Sequence, residues 1–422
     1  MSGLLGSTRW SRALSRPMAT TVARACVVGA VVVAATASWV STSPPASAAV
    51  DRANPTGCVH GFKRGTDYFP DKAVVTDARN FTIVYHNNYK IVTVKEPSPG
   101  GAPQTYVLVQ CGTPTPKLQG DLAGAEVVQV PVRSVFAEST THLPAIVDLG
   151  EVNTLRGVGS EQYVVSKPVR RLFSRSDFVE FAKSGDIDVE RVLGAKPDVL
   201  LTAGTDSPAY GRLRDSGVPV VAIAEYLEAT PLGQAEWGKL ISTLFNREAR
   251  AQASFATVAT RYHQLEKIAA GVSVAQRPKV MTGFVNSGTY YDKGGKSLTA
   301  RLIADAGGTS VWAANTETGP IMIDLEAELA QAGNADIWID GSQFWTSLAD
   351  ATKDEPRYQA FRPFRLRQLW VPNRVKNVNG GLDYFERGVA RPDLVLADLI
   401  KVFHPELARD HQFVFYVRLP KT

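Results

Sequence analysis

Cysteine is scarce in this chain: three among 422 residues. Histidine numbers six, with no i, i+4 pair and no H-E-x-x-H arrangement. Acid is absent from the first 48 residues, which carry Arg9, Arg12, Arg16 and Arg24. There is no G-x-S-x-G elbow and no P-loop, and Gly157-Val158-Gly159 does not extend to a dinucleotide fingerprint. Beyond residue 48 no apolar run is long enough to span a bilayer. Each absence excludes something. A bare zinc site needs several histidines converging with a carboxylate, so neither a metal site nor a cofactor is expected. Without the usual catalytic signatures a non-catalytic protein is expected, although Ser/His or paired-carboxylate sites converge only in space. The formal net charge of +5 falls to +1 once the four leading arginines are set aside. Charge therefore points to no nucleic-acid partner.

Those arginines precede an apolar run from Ala25 to Val40. It is short for a membrane helix and right for a signal h-region. Pro44-Pro45 break it, and Ala46-Ser47-Ala48 supply the small residues a signal peptidase accepts. Residues 1–48 read as a signal peptide, with an uncleaved anchor as the alternative. Cys26 is poorly placed for lipid attachment, since the apolar run follows it. A periplasmic or otherwise exported protein is expected. Cys58 and Cys111 then form an even pair in an oxidising compartment, and one disulfide is expected. Its loop of about 50 residues is worth roughly 3–4 kcal/mol in the chain-entropy model. Two free buried thiols are the alternative.

Residues 49–131 read as a β-rich N-terminal region. Phe81–Tyr85 and Tyr89–Val94 are β-rich runs around a His86-Asn87-Asn88 turn, and Tyr106–Gln110 follows. From Val132 the pattern is α/β. Strand candidates at Val132–Phe136, Asp198–Thr202, Val218–Ile223, Lys279–Phe284, Ile337–Asp340 and Gln368–Val371 alternate with helical stretches. Alternation implies crossover units and parallel-rich sheets, whose ligands bind at the carboxyl ends of the strands. The pattern D-x-E-x-x-L, a short link, then D and an apolar strand occurs at Asp188 and again at Asp324. Two α/β lobes on one plan are therefore expected, at 132–246 and 272–422. Residues 247–271 lie between them. Ala251, Phe255, Val258, Tyr262 and Leu265 recur there at helical spacing, with Asn246 placed to cap the start and Gly271 to end the helix. At 1.5 Å per residue such a helix runs about 35 Å, enough to link two lobes.

In combination and order these segments resemble the iron-siderophore and vitamin B12 substrate-binding proteins of ABC importers. Ser139 to Ile146 resembles that family's first helix after strand one. Asp188 to Asp198 resembles its "LERIxALKPDLVI" segment. Gly288 to Ser297 is similar to its "WYVPGGxS" loop, and Leu302 to Gly308 to the "LIxxAGG" that follows. Asp383 to Arg387 and Arg391 to Leu399 resemble its closing "DYWERGxARPDLVLEDL". The resemblance runs from about Val132 to Pro405 and leaves most of 50–130 unaccounted for. It implies a monomeric, two-lobed, helix-linked receptor. Such a receptor captures a metal chelate, a ferric siderophore or a cobalamin-like corrinoid, and delivers it to permease subunits in the membrane.

The resemblance also assigns roles. Glu190 and Glu326 match the family's two permease-docking acids, one per lobe; solvated helix-start carboxylates are the plain alternative. Tyr290 and Tyr291 match a cleft wall, unless one ring is core. Asp383, Tyr384 and Arg387 match a cleft edge, where Arg387 binds a ligand anion or pairs with Asp383 or Glu386. Thr140, Thr141 and His142 would line the cleft floor at a helix N-terminus, or make a simple capping turn. Asp206 is a weaker candidate of the same kind, and Trp312 and Trp345 have no clear address. An envelope metal-binding protein or enzyme using the same cleft is the competing function, and an interaction protein built on 50–130 is a third.

Overall fold

A computed structural model describes residues 53–422; the expected signal peptide lies outside the described residues. The chain opens with a four-stranded sheet in the order β1-β2-β3-β4. Its strands are β1 (Phe81–Tyr85), β2 (Tyr89–Val94), β3 (Gln104–Gln110) and β4 (Glu126–Val130). β1 to β3 are antiparallel, and β4 runs parallel to β3. β2 alternates as a half-buried strand should, with Lys90, Val92 and Val94 inward. The His86–Asn88 turn closes the hairpin, and the His86 and Tyr89 rings stack at 4.3 Å. Cys58 and Cys111 are joined in a disulfide.

The first lobe is a parallel sheet in the order β7-β6-β5-β8-β9. Its strands are β5 (Val135–Ala137), β6 (Leu155–Val158), β7 (Val179–Glu180), β8 (Val199–Thr202) and β9 (Val220–Ala222). Around it lie α1 (Leu143–Asp148), α2 (Lys167–Arg170), α3 (Val189–Ala195), α4 (Pro208–Asp215) and α5 (Pro231–Thr243). The long helix α6 spans Glu248–Ala270 and carries the chain to the second lobe. There β13-β10-β15-β16 run parallel and β17 closes the sheet antiparallel. These strands are β10 (Lys279–Met281), β13 (Thr309–Ser310), β15 (Ile337–Ile339), β16 (Leu369–Val371) and β17 (Val417–Arg418). A small antiparallel sheet of β11 (Phe284–Asn286), β12 (Thr289–Lys293) and β14 (Pro320–Ile323) sits beside it. The helices are α7 (Leu298–Asp305), α8 (Leu325–Ala332), α9 (Leu348–Asp354), α10 (Arg362–Arg365), α11 (Asp383–Ala390) and α12 (Pro392–Phe403). α6 packs against α5 on one lobe and α12 on the other. No described helix is long and apolar enough to cross a membrane.

The repeated motif has a structural meaning. Asp188 caps α3 by accepting the Arg191 N–H at 3.1 Å, and Asp324 caps α8 by accepting that of Ala327 at 2.7 Å. Each motif's second aspartate then ties two parallel strands at their amino ends. Asp198 accepts the Arg133 and Ser134 N–H groups at 2.6 and 2.9 Å, and Asp336 accepts that of Lys279 at 2.8 Å. The lobes share one plan down to these contacts.

Two sequence expectations shift. Lys279–Phe284 is not one strand: Gly283 (φ +83°) breaks it into β10 and β11, and a Cβ there would meet the Tyr291 carbonyl oxygen at 2.0 Å. Asn246 does not cap α6. It has φ +59°, and its amide donates to Pro55 O and Gln110 Oε1. Gly271 does follow the helix end.

Side chains aimed at backbone join the leading sheet to the first lobe. Glu236 on α5 accepts the N–H groups of Thr76, Asp77 and Ala78 at 2.7–3.1 Å. Glu228 accepts those of Arg79 and Asn80 and the Trp237 indole. At the sheet edge the β9 N–H groups of Val220 and Ala222 donate to Glu126 and to the Tyr106 hydroxyl, at 2.6 and 2.8 Å. These side chains cover an edge that would otherwise present unpaired donors. Deeper in, Lys90 Nζ donates to Thr243 O and Asn246 Oδ1, both at 2.6 Å, and lies 2.5 Å from Glu248 Oε1. Glu248 is the first residue of α6, so the leading sheet grips the start of the linking helix.

Candidate functional site

Parallel sheets present ligand-binding loops at the carboxyl ends of their strands. Here those ends face each other. The loop after β6 in the first lobe meets the loop after β16 and the first turn of α11 in the second. Val165 and Ser166 N–H donate to Glu386 at 2.6 and 3.0 Å, and Asn377 Nδ2 donates to Gln162 O and Val164 O at 2.7 and 3.0 Å. Gly381 lets the backbones close: a Cβ there would meet Tyr163 O at 2.3 Å. The strand-end loops of the two lobes therefore meet directly across the interlobe joint, and α6 links the lobes.

These loops expose apolar side chains. Tyr163 follows β6, Tyr226 follows β9, Phe344 follows β15, Val375 and Val378 follow β16, and Phe385 stands on α11. All are 40–95% exposed. All of them lie at the strand-end side of their lobe, the side where parallel sheets place their ligands.

The expected ligand residues divide. Thr140–His142 forms a 3₁₀ turn after β5, capped by Ser139 Oγ, and α11 packs against it. The structure thus brings Thr140, Thr141 and His142 of one lobe together with Asp383, Tyr384 and Arg387 of the other. Thr140 and Thr141 are half-buried. His142 is withdrawn: it is 1% exposed, and neither ring nitrogen has a partner. Burial pushes its imidazole down to about 3, so the ring is neutral. His142 underlies the turn and presents no surface to a ligand, contrary to the expectation for it.

On α11, Arg387 is held by Asp383, with Nε at 3.0 Å and Nη2 at 2.5 Å from the same oxygen. Its guanidinium lies 5.3 Å from the Phe415 ring centroid. Only its Nη1 edge is left for a ligand oxygen. Tyr384 is half-buried, edge-on to the rings of Phe385, Phe415 and Tyr416.

The two tyrosines of β12 part company because adjacent strand residues point to opposite faces. Tyr290 is fully buried and donates to Thr282 O at 2.6 Å. It belongs to the second-lobe core and not to the cleft wall expected of it. Tyr291 is half-exposed. Trp345 is also core, packed on Trp338 and Tyr358. Trp312 is half-buried and donates to Glu328 at 2.9 Å. Asp206 is exposed on the loop after β8.

Glu190 and Glu326 each occupy the second residue of an equivalent helix, α3 and α8, and both are exposed. They differ in partners. Glu326 Oε1 lies 3.1 Å from Arg357 Nη1, while Arg357 also forks onto Glu355.

Several site groups were not anticipated. Besides the exposed aromatics, Glu138, Glu225 and Glu386 are carboxyls beside the strand ends. Burial pushes Glu225 and Glu386 up to about 7, and it raises Glu138 against the Tyr210 hydroxyl and Ala203 N–H that favour its charge. Position just after a strand was the available signal, but it does not separate an exposed aromatic from a buried acid. Among the described residues no group of three or more His, Cys, Asp or Glu is placed to hold a metal ion.

Comparison with known proteins agrees with this architecture. Residues 143–363 match the periplasmic binding protein family. An uncharacterized lipoprotein of Methanocaldococcus jannaschii is 23% identical over 327 residues, 75% of this chain and 76% of that protein. A periplasmic heme-binding protein of Pseudomonas aeruginosa superposes with a TM-score of 0.51 at 20% identity, covering 65% of this chain and 93% of that one. A possible iron-binding periplasmic solute-binding protein of Staphylococcus epidermidis gives 0.51 at 17%, covering 65% and 99%.

Proposed function

The chain belongs to the periplasmic binding protein family, and from that premise we propose that it is the exported substrate-binding protein of an ABC importer. Its cleft takes a bulky metal chelate: a ferric siderophore, a corrinoid or a heme-like tetrapyrrole. The carrying observation is the set of exposed Tyr163, Tyr226, Phe344, Val378 and Phe385 at the strand-end loops of both lobes and on α11. Such a set suits a ligand with large apolar faces. Thr140 and Thr141 at the first-lobe turn and Arg387 on α11 supply donors for its oxygens. The single 23-residue helix between the lobes favours a largely pre-formed site. Glu190 and Glu326 stand on matching helices, as docking to the two halves of a permease requires. Charges so exposed act on orientation and on-rate more than on affinity.

The test is a binding panel of ferric siderophores, cobalamin and heme, followed by tryptophan fluorescence and calorimetry on the secreted protein. Saturable one-to-one binding of one class, weakened by Phe344→Ala and Arg387→Ala, is expected. Silence across the panel, with stoichiometric metal in the purified protein, would replace this reading with a direct metal-binding one.

A further inference from the structure

Asp292 on β12 and Glu328 on α8 are both buried in the second lobe. One oxygen of each is well served. Asp292 Oδ1 accepts from the Thr282 hydroxyl and from the Lys293 N–H, the latter at 2.6 Å. Glu328 Oε2 accepts from the Trp312 indole at 2.9 Å. The other two oxygens, Asp292 Oδ2 and Glu328 Oε1, are buried with no donor; β12 and α8 pack against each other, and each carboxyl is within reach of a hydrogen bond to the other once one of them is protonated. Two carboxylates at such range, out of water, do not both ionise. One proton between them removes the repulsion and satisfies both orphaned oxygens at once.

We propose that Glu328 holds a proton and donates it to Asp292, and that this shared proton latches α8 to the small β11-β12-β14 sheet. The latch closes in acid and loosens in alkali. The surroundings decide which partner keeps the proton. Burial raises both groups, and the charge of Asp292 raises Glu328 further. The Thr282 hydroxyl, the Lys293 N–H and the bond from Glu328 all favour ionised Asp292. Facing the pair is the phenol of Tyr290, held neutral by burial. The charge of Lys293, next to Asp292, also favours its ionised form.

The placement gives the latch a reach. β12 carries Tyr291, and α8 carries Glu326 two residues before Glu328. Loosening the pair frees the helix that presents Glu326 from the sheet that presents Tyr291. Its relevance to permease docking rests on the function proposed above, but its chemistry does not.

The experiment uses the secreted chain without ligand or permease, so failure of the latch and failure of the transport reading are distinguishable. Infrared difference spectra between wild type and Glu328→Gln would be taken from about pH 5 to about pH 9, well above the ordinary carboxyl range. A protonated-carboxyl band present near neutrality in wild type and lost in the variant is expected. Urea unfolding over the same range should show the wild-type folding equilibrium falling with pH more steeply than that of Glu328→Gln. The difference is up to tenfold per pH unit, one proton's worth, because the amide donates to Asp292 without titrating. Amide exchange of α8, corrected for intrinsic rates, should quicken with pH in wild type alone. If Glu328→Gln does not fold, Asp292→Asn serves: Glu328 then loses the neighbouring charge that raises it, and its band should vanish at lower pH than in wild type, whereas a band that holds to the same or higher pH counts against the shared proton. Absence of the band near neutrality, or equal pH slopes in wild type and variant, overturns the proposal.

Discussion

Replacing Lys90 by Met tests how the leading sheet grips the linking helix. Lys90 and Glu248 have no exposed side-chain surface. Met keeps the apolar stem and its packing by the Phe69 ring, 4.4 Å from the ammonium. It removes the charge. Glu248 is left with the Asn54 amide at 2.8 Å as its remaining donor, and Thr243 O and Asn246 Oδ1 each lose one. Breaking a buried pair from one side costs about 3–5 kcal/mol. The upper end is expected here, since two further acceptors lose a donor at roughly 1–3 kcal/mol each when unsatisfied. At roughly 2–4 °C per kcal/mol for domains of 150–250 residues, a loss of about 5 kcal/mol lowers the melting temperature by about 10–20 °C. Urea denaturation, followed by tryptophan emission and circular dichroism, measures the loss. The double variant Lys90→Met/Glu248→Gln neutralises the stranded charge and should recover about 1–3 kcal/mol of it. An unchanged midpoint in Lys90→Met, or a double variant no more stable than the single, would refute the reasoning.

Glu386 makes a pH-dependent joint between the lobes. Burial raises its carboxyl to about 7 in the folded chain, so the folded state keeps a proton that the unfolded state releases near 4.5. Its stabilising contribution is full below about pH 4.5 and is lost as pH rises through about 7. Glu386→Gln should flatten the stability profile in that window, read by denaturation at about pH 5 and pH 8. The docking role proposed for Glu190 and Glu326 is tested by a transport assay with a reconstituted permease. Glu190→Lys and Glu326→Lys should each slow uptake several-fold and leave ligand affinity within about twofold, since rim charges act on association. Arg357→Ala should not slow uptake, because it releases Glu326 from its internal partner.

What was legible in the sequence followed short-range rules. The D-x-E-x-x-L repeat showed two lobes because its aspartates are helix caps and strand ties, contacts made within a few residues or between neighbouring strands. The linking helix showed in its apolar spacing, and the hairpin in β-rich runs around His86-Asn87-Asn88. β6 was missed because Leu155–Val158 is four residues long and contains Arg156 and Gly157. At the site, the choice of Thr140, Thr141, Asp383, Tyr384 and Arg387 came from a resemblance, and the structure sets them across one joint. The inward turn of His142 and of Tyr290 depends on which face a neighbouring element covers, and local pattern does not carry that. Glu326 meets a partner 31 positions away, and Glu328 meets Asp292 across 36, separations no spacing rule reaches.

The joint between the leading sheet and the first lobe has an asymmetry with consequences for how the chain tolerates change. Glu236 and Glu228 grip the peptide N–H groups of residues 76–80, and Glu126 and Tyr106 grip those of β9. Every residue except proline offers that N–H, whatever its side chain. Where a gripped residue's side chain points to solvent, as at Arg79, its identity is free to drift, while the gripping side chains are not. Diversity in a population of variants should be high at Arg79, short of proline, and stay low at Glu228 and Glu236. The same economy makes the module portable. A host lobe needs only two acids, one on a helix and one in the loop before it, and an uncapped strand edge to receive it.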